Sequence, residues 1–294
     1  MLHFSKASPN NNLKQIVDNA LCSLASPRYE LNVETTLTIP IHLQDIMCQS
    51  GLVLLSGRPC MGCTSLALNI ALSITKFQRR TVLYFSFDTT KEMLMRQLLC
   101  IEGFVNIRRI WDREFEDTDW IRLNTAGKLI KELPLHIYDD PLLTVREIGQ
   151  ICRQHKYVDL VIIDSISNIQ PIPGECGTSK RTMKENYILQ QFSRLSREHN
   201  TCVLCINTLG HDIEQRKCME PDMCDIRKYR NSFDYIDSAL FLYRKDYYTP
   251  PEDPEKIQAY CNVRLCRNND YRRIRMRWIP EYTTFLDIPY DNTV

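Results

Sequence analysis

Two glycines separated by four residues stand where an apolar run gives way to a helix-forming one. The segment GRPCMGCT (residues 57–64) follows the run GLVLLS and leads into SLALNIALSI. Gly57, Gly62 and Thr64 have the spacing GxxxxGx[ST] of a loop whose backbone N–H groups turn toward phosphate oxygens at a helix N-terminus. The lysine that usually follows the second glycine is Cys63 here. An ordinary strand-to-helix turn can also hold two glycines, so the loop alone leaves both interpretations open.

Two carboxylates at the ends of apolar runs favour the phosphate interpretation. VDLVIID ends at Asp164, where a carboxylate can hold Mg²⁺ opposite the Thr64 hydroxyl. YFSFD ends at Asp88, which is placed to orient an attacking water. Each Asp alone also fits the cap of a following helix. The three features in this order favour a phosphate-binding site with Mg²⁺.

These groups need a framework, and the sequence supplies alternating strands and helices. Five runs are β-rich and mostly too apolar to have one face in water, and helix-period segments separate them. The strands are predicted at 51–57, 81–87, 158–164, 201–207 and 237–243, and the helices at 64–77, 91–104, 117–131, 143–155 and 183–199. After residue 258 three shorter runs predict closing antiparallel strands. The expected class is α/β, a mostly parallel sheet flanked by helices.

Composition narrows the class of protein without naming a partner. The 294 residues are 44% apolar and 25% charged, and the net charge is +1, so any basic site must be local. No run of eighteen apolar residues exists, and the start MLHFSKASPNNN lacks the apolar stretch of a secretory signal, which predicts a cytoplasmic protein without a membrane partner. Glycine is scarce, at 9 residues where average usage gives roughly 20.

The 13 cysteines are expected to remain thiols in a reducing compartment. Two CxxC spacings, Cys60 with Cys63 and Cys202 with Cys205, raise the possibility of a zinc or redox site. They are far apart in sequence, and the second lies in the apolar run CVLCI, which is typical of a buried strand. We therefore expect no metal centre of cysteines.

An amphipathic helix is predicted ahead of the main pattern. Between residues 13 and 24, apolar residues recur at helical spacing, and the segment from there to about residue 50 reads as a linker. The apolar face either packs on its own domain or docks on another subunit. The predicted division is therefore 1–50 for the helix and linker and 51–294 for the main domain.

The sequence resembles the C-terminal motor domain of DnaB-type replicative DNA helicases, RecA-like P-loop NTPases that form hexameric rings. The likeness runs over roughly 50–288, and no part resembles that family's separate N-terminal domain. Residues 13–24 resemble the helix by which each subunit grips its neighbour. The resemblance of the main domain rests on these segments: GLVLLSGRPCMGCTS, TVLYFSFDTTKEMLMRQLL, FEDTDWIRL, VDLVIIDSISNIQ and the block from NTLGHDIEQR to FLYRKDYY.

The resemblance assigns roles at matching positions. Gly57, Gly62, Thr64 and Asp164 match the family's nucleotide site, which takes ATP with Mg²⁺ held by Thr64 and Asp164. Arg267 matches the arginine finger that reaches a neighbour's phosphates. The other expected nucleotide contacts are Arg58, Cys63 and Ser65.

Single-stranded DNA is the partner that the resemblance implies, at two loops. Arg216 and Arg227 are kept in one loop, and the other offers Lys180 and Arg181. Composition does not support either loop by itself, since acids and bases balance in the first and a solvated loop explains the second. A third basic feature is a strand in which Arg273, Arg275 and Arg277 alternate with apolar residues, giving a face for a partner's acids or for water.

The departures from the family lie at the chemistry. Cys63 replaces the loop lysine, Asp88 a catalytic glutamate, Thr208 a glutamine and Leu265 a lysine before the finger. In the DNA-facing loop, Lys228, Tyr229 and Arg230 replace an acidic turn of small residues. At the N-terminus of a helix, Cys63 is expected to be a thiol of low pKa.

Two functions remain open on these residues. Loss of the lysine costs roughly 3–4 kcal/mol or more of transition-state stabilisation. The shorter Asp88 withdraws its carboxylate by roughly 1 Å and costs about a hundredfold. Together they lower hydrolysis by roughly four orders of magnitude, unless a lysine such as Lys91 supplies the charge. The chain is then either a helicase motor with impaired hydrolysis or an inactive relative, a pseudoenzyme that binds a replicative helicase or other replication partner.

Overall fold

One mixed sheet of nine strands organises the protein, whose computed structural model describes residues 13–24, 43, 46–47, 49–170, 181–250, 257–265 and 270–288. In chain order the strands are β1 (Gly51–Gly57), β2 (Val82–Ser86), β3 (Leu135–Tyr138), β4 (Leu160–Asp164), β5 (Cys202–Thr208), β6 (Ser238–Arg244), β7 (Gln258–Leu265), β8 (Asp270–Ile279) and β9 (Thr284–Asp287). Their order across the sheet is β3-β2-β4-β5-β1-β6-β7-β8-β9. The expected sheet class is confirmed.

The first six strands in that order run parallel, with β1 between β5 and β6. Residues of β1 and β4 are buried on both faces, which explains why these strands read as continuous apolar runs. Since the carboxyl ends of parallel strands meet at one edge, the residues that follow β1, β2 and β4 are brought together there. β7, β8 and β9 then add antiparallel neighbours beyond β6, as predicted.

Helices cover both faces of the sheet. In chain order they are α1 (Leu13–Leu24), α2 (Cys63–Phe77), α3 (Lys91–Gly103), α4 (Ile107–Asp112), α5 (Asp117–Lys131), α6 (Val145–Gln154) and α7 (Arg181–His199). In one core, the five helices α1, α2, α3, α4 and α5 pack against the sheet face that carries Val53 and Leu55. A second core joins α6 and α7 with the face that carries Leu52 and Leu54. No helix in the described ranges is long and apolar enough to cross a membrane.

The N-terminal helix α1 lies on its own domain. Leu13, Ile16 and Val17 are buried in the first core, where α1 contacts α3 and α5. Lys131 at the end of α5 forms an ion pair with Asp18 of α1. Of the two predicted dockings, the structure therefore has the one within the chain.

Candidate nucleotide-binding site

The loop between β1 and α2 needs glycine at the second glycine position of its motif, residue 62. Gly62 has a φ of +95°, a left-handed conformation that side chains rarely adopt. A Cβ atom there would also lie 3.0 Å from Cζ of Phe285. Helix α2 begins at the next residue, Cys63, so the N-terminus of the helix opens at this edge of the sheet.

Thr64 and Asp164 bring two oxygens together across the loop. The Thr64 hydroxyl donates a hydrogen bond of 2.8 Å to Oδ2 of Asp164, and the buried Tyr84 hydroxyl donates a second one of 2.8 Å to the same oxygen. Burial raises the pKa of Asp164, and the two hydroxyl donors oppose that shift. Carboxylate and hydroxyl oxygens are the donors that Mg²⁺ takes in nucleotide sites, so this pair fits the predicted ion.

Asp88 reaches the same edge from β2. Its side chain is exposed and accepts a hydrogen bond of 3.2 Å from the Ser165 hydroxyl and another from the Asn168 amide. The neighbouring carboxylate of Asp88 adds to the raised pKa of Asp164. Asp88 is thus fixed by the segment that follows β4, and the two carboxylates line one cleft.

The half-buried side chain of Cys63 packs against Gly57 and does not present a reactive thiolate. A Cβ atom at Gly57 would lie 2.6 Å from the Cys63 sulfur, so the glycine makes room for this side chain. Burial raises the pKa of the Cys63 thiol, and the nearby Asp164 and Cys261 raise it further. The expectation of a low pKa was wrong, because desolvation outweighs the helix N-terminus.

No replacement for the missing lysine comes from Lys91. Its ammonium lies 3.5 Å from Oδ1 of Asp139, and its backbone N–H also bonds that carboxylate. Lys91 therefore belongs to the start of α3 and does not line the cleft.

The cleft has a volume of about 320 Å³ and contains a cation that sequence reasoning missed. Arg244, at the end of β6, donates to the Cys60 carbonyl at 3.3 Å and forms an ion pair of 2.6 Å with Asp246. Its guanidinium also lies 4.6 Å from the Trp278 ring. The position directly after a predicted parallel strand was the available signal. The lining residues are Gly57, Arg58, Pro59, Cys60, Gly62, Cys63, Thr64, Ser65, Asp88, Asp164, Ser165, Ile206, Asn207, Thr208, Arg244, Trp278 and Thr283.

Arg58 is turned toward the segment after β5. Its guanidinium donates to the Leu209 carbonyl at 2.7 Å and to Glu214 at 3.0 Å, and it lies 2.9 Å from Nδ1 of His211. The residue is 7% exposed. The predicted phosphate contact would require release of these bonds, so in this structure Arg58 joins the loop to the DNA-facing segment of the resemblance.

A buried polar network, which no local sequence pattern indicates, lies behind the loop. The Tyr229 hydroxyl lies 2.8 Å from Oδ1 of Asn207 and 3.0 Å from Oε2 of Glu185. Asn207 in turn donates to the Ser56 hydroxyl at 3.1 Å, directly before the loop. Lys228 forms an ion pair of 3.2 Å with Glu185. Lys228 and Tyr229 therefore connect the segment 209–235 to β1 and α7.

The residues predicted to contact DNA differ in how available their side chains are. Arg216 is bound within its own loop, at 2.8 Å to Asp225 and 2.7 Å to the Cys218 carbonyl. Arg227 is exposed. Arg181 is the first residue of α7, while Lys180 and the predicted finger Arg267 lie outside the described residues.

Comparison with known proteins places this geometry in a family. The family model for the DnaB-like helicase C-terminal domain matches residues 43–287. A probable replicative DNA helicase of Trieres chinensis is 28% identical over 245 residues, 81% of this chain and 53% of that protein. The replicative DNA helicase DnaB of Geobacillus stearothermophilus is also 28% identical, over 82% of this chain and 53% of its own length. The chain thus spans about half the length of these relatives.

Solved structures of similar fold support the same family. An ATPase domain is 26% identical with a TM-score of 0.74, over 81% of this chain and 85% of that one. A DnaB-like replicative helicase, described with its primase interactions, is 25% identical with a TM-score of 0.76, over 82% of this chain and 58% of that one. The fold is RecA-like. Over residues 43–287, which include the glycine loop and the closing strands, this chain belongs to the family of DnaB-like helicase C-terminal domains.

Proposed function

We propose that this chain binds Mg²⁺ and ATP at the cleft, hydrolyses the ATP slowly, and acts on single-stranded DNA as a replicative helicase motor. The observation that carries the proposal is the 2.8 Å contact between Thr64 and Asp164 beside a loop that lacks its lysine. The two oxygens that would hold a metal lie together, and the lysine that would clamp the phosphates is replaced by Cys63.

Binding rests on the backbone of residues 57–64 and on two side-chain oxygens. Thr64 and Asp164 would hold Mg²⁺, and the N-terminus of α2 together with Ser65 would receive phosphate oxygens. Bound Mg²⁺ supplies charge neutralisation at the β- and γ-phosphates. Burial of Asp164 supports the metal role, because a desolvated carboxylate gains more from a cation than an exposed one.

Slow turnover follows from the groups that surround the phosphate position. Arg58 bonds Leu209 and Glu214, and Arg244 is ion-paired with Asp246, so neither charge is free in the present arrangement. Catalysis of phosphoryl transfer depends mainly on positioned charge, so an uncompensated loss of lysine lowers the rate more than the affinity. Asp88 is held by Ser165 and Asn168 and is the group we assign to orienting water.

The second candidate function is that of a regulatory or structural subunit that docks on an active helicase. Its support is α1, an amphipathic helix whose Ile16 and Val17 lie on α3 and α5 of this chain and would cover the same helices of a neighbour if α1 were exchanged between copies. Arg267 could then complete a neighbour's site even where this cleft turns over slowly.

Nucleotide binding is tested by titrating the full chain with a fluorescent ATP analogue, with and without Mg²⁺. We expect saturable binding to one site that Mg²⁺ strengthens and that Asp164→Asn weakens at least tenfold. Equal signals for wild type and Asp164→Asn would contradict binding at this cleft.

Assembly through α1 is tested by mass measurement in solution of wild type and Val17→Asp, with Gln15→Asp as the control on the exposed face of α1. Docking in trans predicts oligomers for wild type and the control and monomers for Val17→Asp. A monomeric wild type with and without Mg-ATP would count against a self-assembled ring.

A further inference from the structure

The outer face of β7 and β8 carries a row of arginines. Ile274, Met276 and Trp278 of β8 are buried in the first core, and the alternate residues Arg273, Arg275 and Arg277 are exposed on the opposite side. The predicted division of this strand into one basic and one apolar face is therefore present. The basic face looks away from α2, α3 and α5.

Two tyrosines lie beside these arginines on the same face of the sheet. Across the ladder, Tyr260 of β7 is directly opposite Arg275, and Arg264 is opposite Tyr271. The Arg273 guanidinium lies 4.2 Å from the centre of the Tyr260 ring, and that of Arg264 lies 4.1 Å from the centre of the Tyr271 ring. The Tyr271 side chain is 44% exposed, so part of its ring is open to a further partner.

The charge on this face is only partly balanced. Glu220 lies 3.1 Å from Arg273, and Asp222 lies 3.7 Å from Arg264. Arg275 and Arg277 have no ion-pair partner in the described parts of the chain, and both are exposed. In a chain whose net charge is +1, this is a local excess of positive charge.

We propose that these six residues form a second binding surface for single-stranded nucleic acid, the arginine–tyrosine face (Tyr260, Arg264, Tyr271, Arg273, Arg275 and Arg277). Arginines would contact the phosphates, and the exposed part of the Tyr271 ring would stack on a base. Side chains two residues apart on one strand are about 6.7 Å apart, so Tyr271 and Arg277 span roughly 20 Å, enough for a few nucleotides. The surface consists of residues of β7 and β8 and borders the segment 209–235, whose Glu220 and Asp222 pair with Arg273 and Arg264. It does not depend on ATP.

An acidic protein segment is the competing occupant, and the tyrosines decide between the two. A carboxylate partner needs only the arginines, whereas bases gain from an open aromatic ring. The sheet also presents aromatic rings and positive charges side by side on one face, as sheets that bind single strands do.

The test is fluorescence anisotropy with a labelled oligothymidylate of about 12 nucleotides, in the absence of ATP. For Arg275→Gln/Arg277→Gln we expect at least tenfold weaker binding near 0.1 M salt and a salt slope smaller by about 1.4. The matched control is Arg108→Gln/Lys128→Gln, which removes two exposed charges from α4 and α5 and should change binding less than twofold. Thermal melting of each variant confirms that it is folded.

Two further readouts separate the alternatives. Tyr271→Ser keeps every charge and should weaken oligothymidylate binding several-fold while leaving the binding of an oligoglutamate peptide unchanged. Ultraviolet crosslinking should join the oligonucleotide to peptides that contain Tyr260 or Tyr271.

Crosslinks confined to residues 209–235, or equal binding by wild type and Arg275→Gln/Arg277→Gln, would overturn the proposal. Preference for the acidic peptide with no effect of Tyr271→Ser would overturn it in favour of a protein partner. None of these substitutions touches the cleft, so the nucleotide titration remains a separate test of the proposed function.

Discussion

The Thr64 hydroxyl donates a 2.8 Å hydrogen bond to Oδ2 of Asp164 and so links the first turn of α2 to the end of β4. Tyr84 of β2 donates to the same carboxylate oxygen. Three separate segments of the chain are thereby held at one point of the cleft. A metal that binds there would meet oxygens that are already close together, so the entropic cost of ordering its ligands is smaller.

Thr64→Val should weaken Mg-ATP binding about tenfold and leave Mg-free nucleotide binding nearly unchanged, because valine keeps the shape but removes the oxygen. Isothermal titration with and without Mg²⁺ measures both affinities. The control is Thr75→Val in the same helix, whose hydroxyl bonds the Ala71 carbonyl instead. An equal loss for both nucleotide forms would contradict a metal role for Thr64.

Asp164→Asn should stabilise the ligand-free protein at neutral pH while it weakens Mg-ATP binding. Burial raises the pKa of Asp164 in the folded state, so its contribution is favourable at low pH and is lost as pH rises through that pKa. The melting temperature of Asp164→Asn should therefore exceed that of wild type by more at pH 7 than at pH 4. A wild type that is the more stable of the two at pH 7 would argue against this account.

Iodoacetamide at pH 8 should modify the exposed Cys60 and Cys218 well before Cys63, because burial raises the pKa of the Cys63 thiol. Peptide mass spectrometry over a time course gives the three rates in one sample. Labelling of Cys63 as the fastest of the three would restore the idea of an activated thiol at the helix N-terminus.

Tyr229→Phe should destabilise the protein by about 1–3 kcal/mol, because it removes the hydroxyl that lies against Oδ1 of the buried Asn207 and Oε2 of the buried Glu185. Urea unfolding measures the difference. Tyr157→Phe serves as the control, since Tyr157 is 73% exposed and should change stability by less than about 0.5 kcal/mol. Similar effects of the two substitutions would mean that the buried network contributes little.

The strands that are apolar on both faces could be predicted from the sequence. The runs around Leu54 and Ile162 could only be buried strands, and their predicted bounds differ from the observed ones by two residues at most. Two short elements escaped, β3 (Leu135–Tyr138) and α4 (Ile107–Asp112). β3 lies at the edge of the sheet, where only alternate residues are buried, and four residues carry too little pattern.

The site was predictable from spacing along the chain but not from contacts across it. Gly62, Thr64 and Asp164 follow strands, so their meeting at one edge could be foreseen. The direction of the Arg58 side chain could not, because its partners Leu209 and Glu214 are about 150 residues away and no local pattern links them. Cys63 was misjudged for the same reason, since its pKa depends on packing against Asp164 and Cys261.

The most direct test follows bound nucleotide and released phosphate in the same sample of the wild-type chain with Mg-ATP and single-stranded DNA. We expect the nucleotide recovered from the protein to be mostly ATP, with turnover near 10⁻³ s⁻¹, roughly four orders of magnitude below an ordinary enzyme. Cys63→Lys/Asp88→Glu should raise that turnover. DNA-stimulated hydrolysis by wild type at about 1–10 s⁻¹ would contradict impaired chemistry at Cys63 and Asp88.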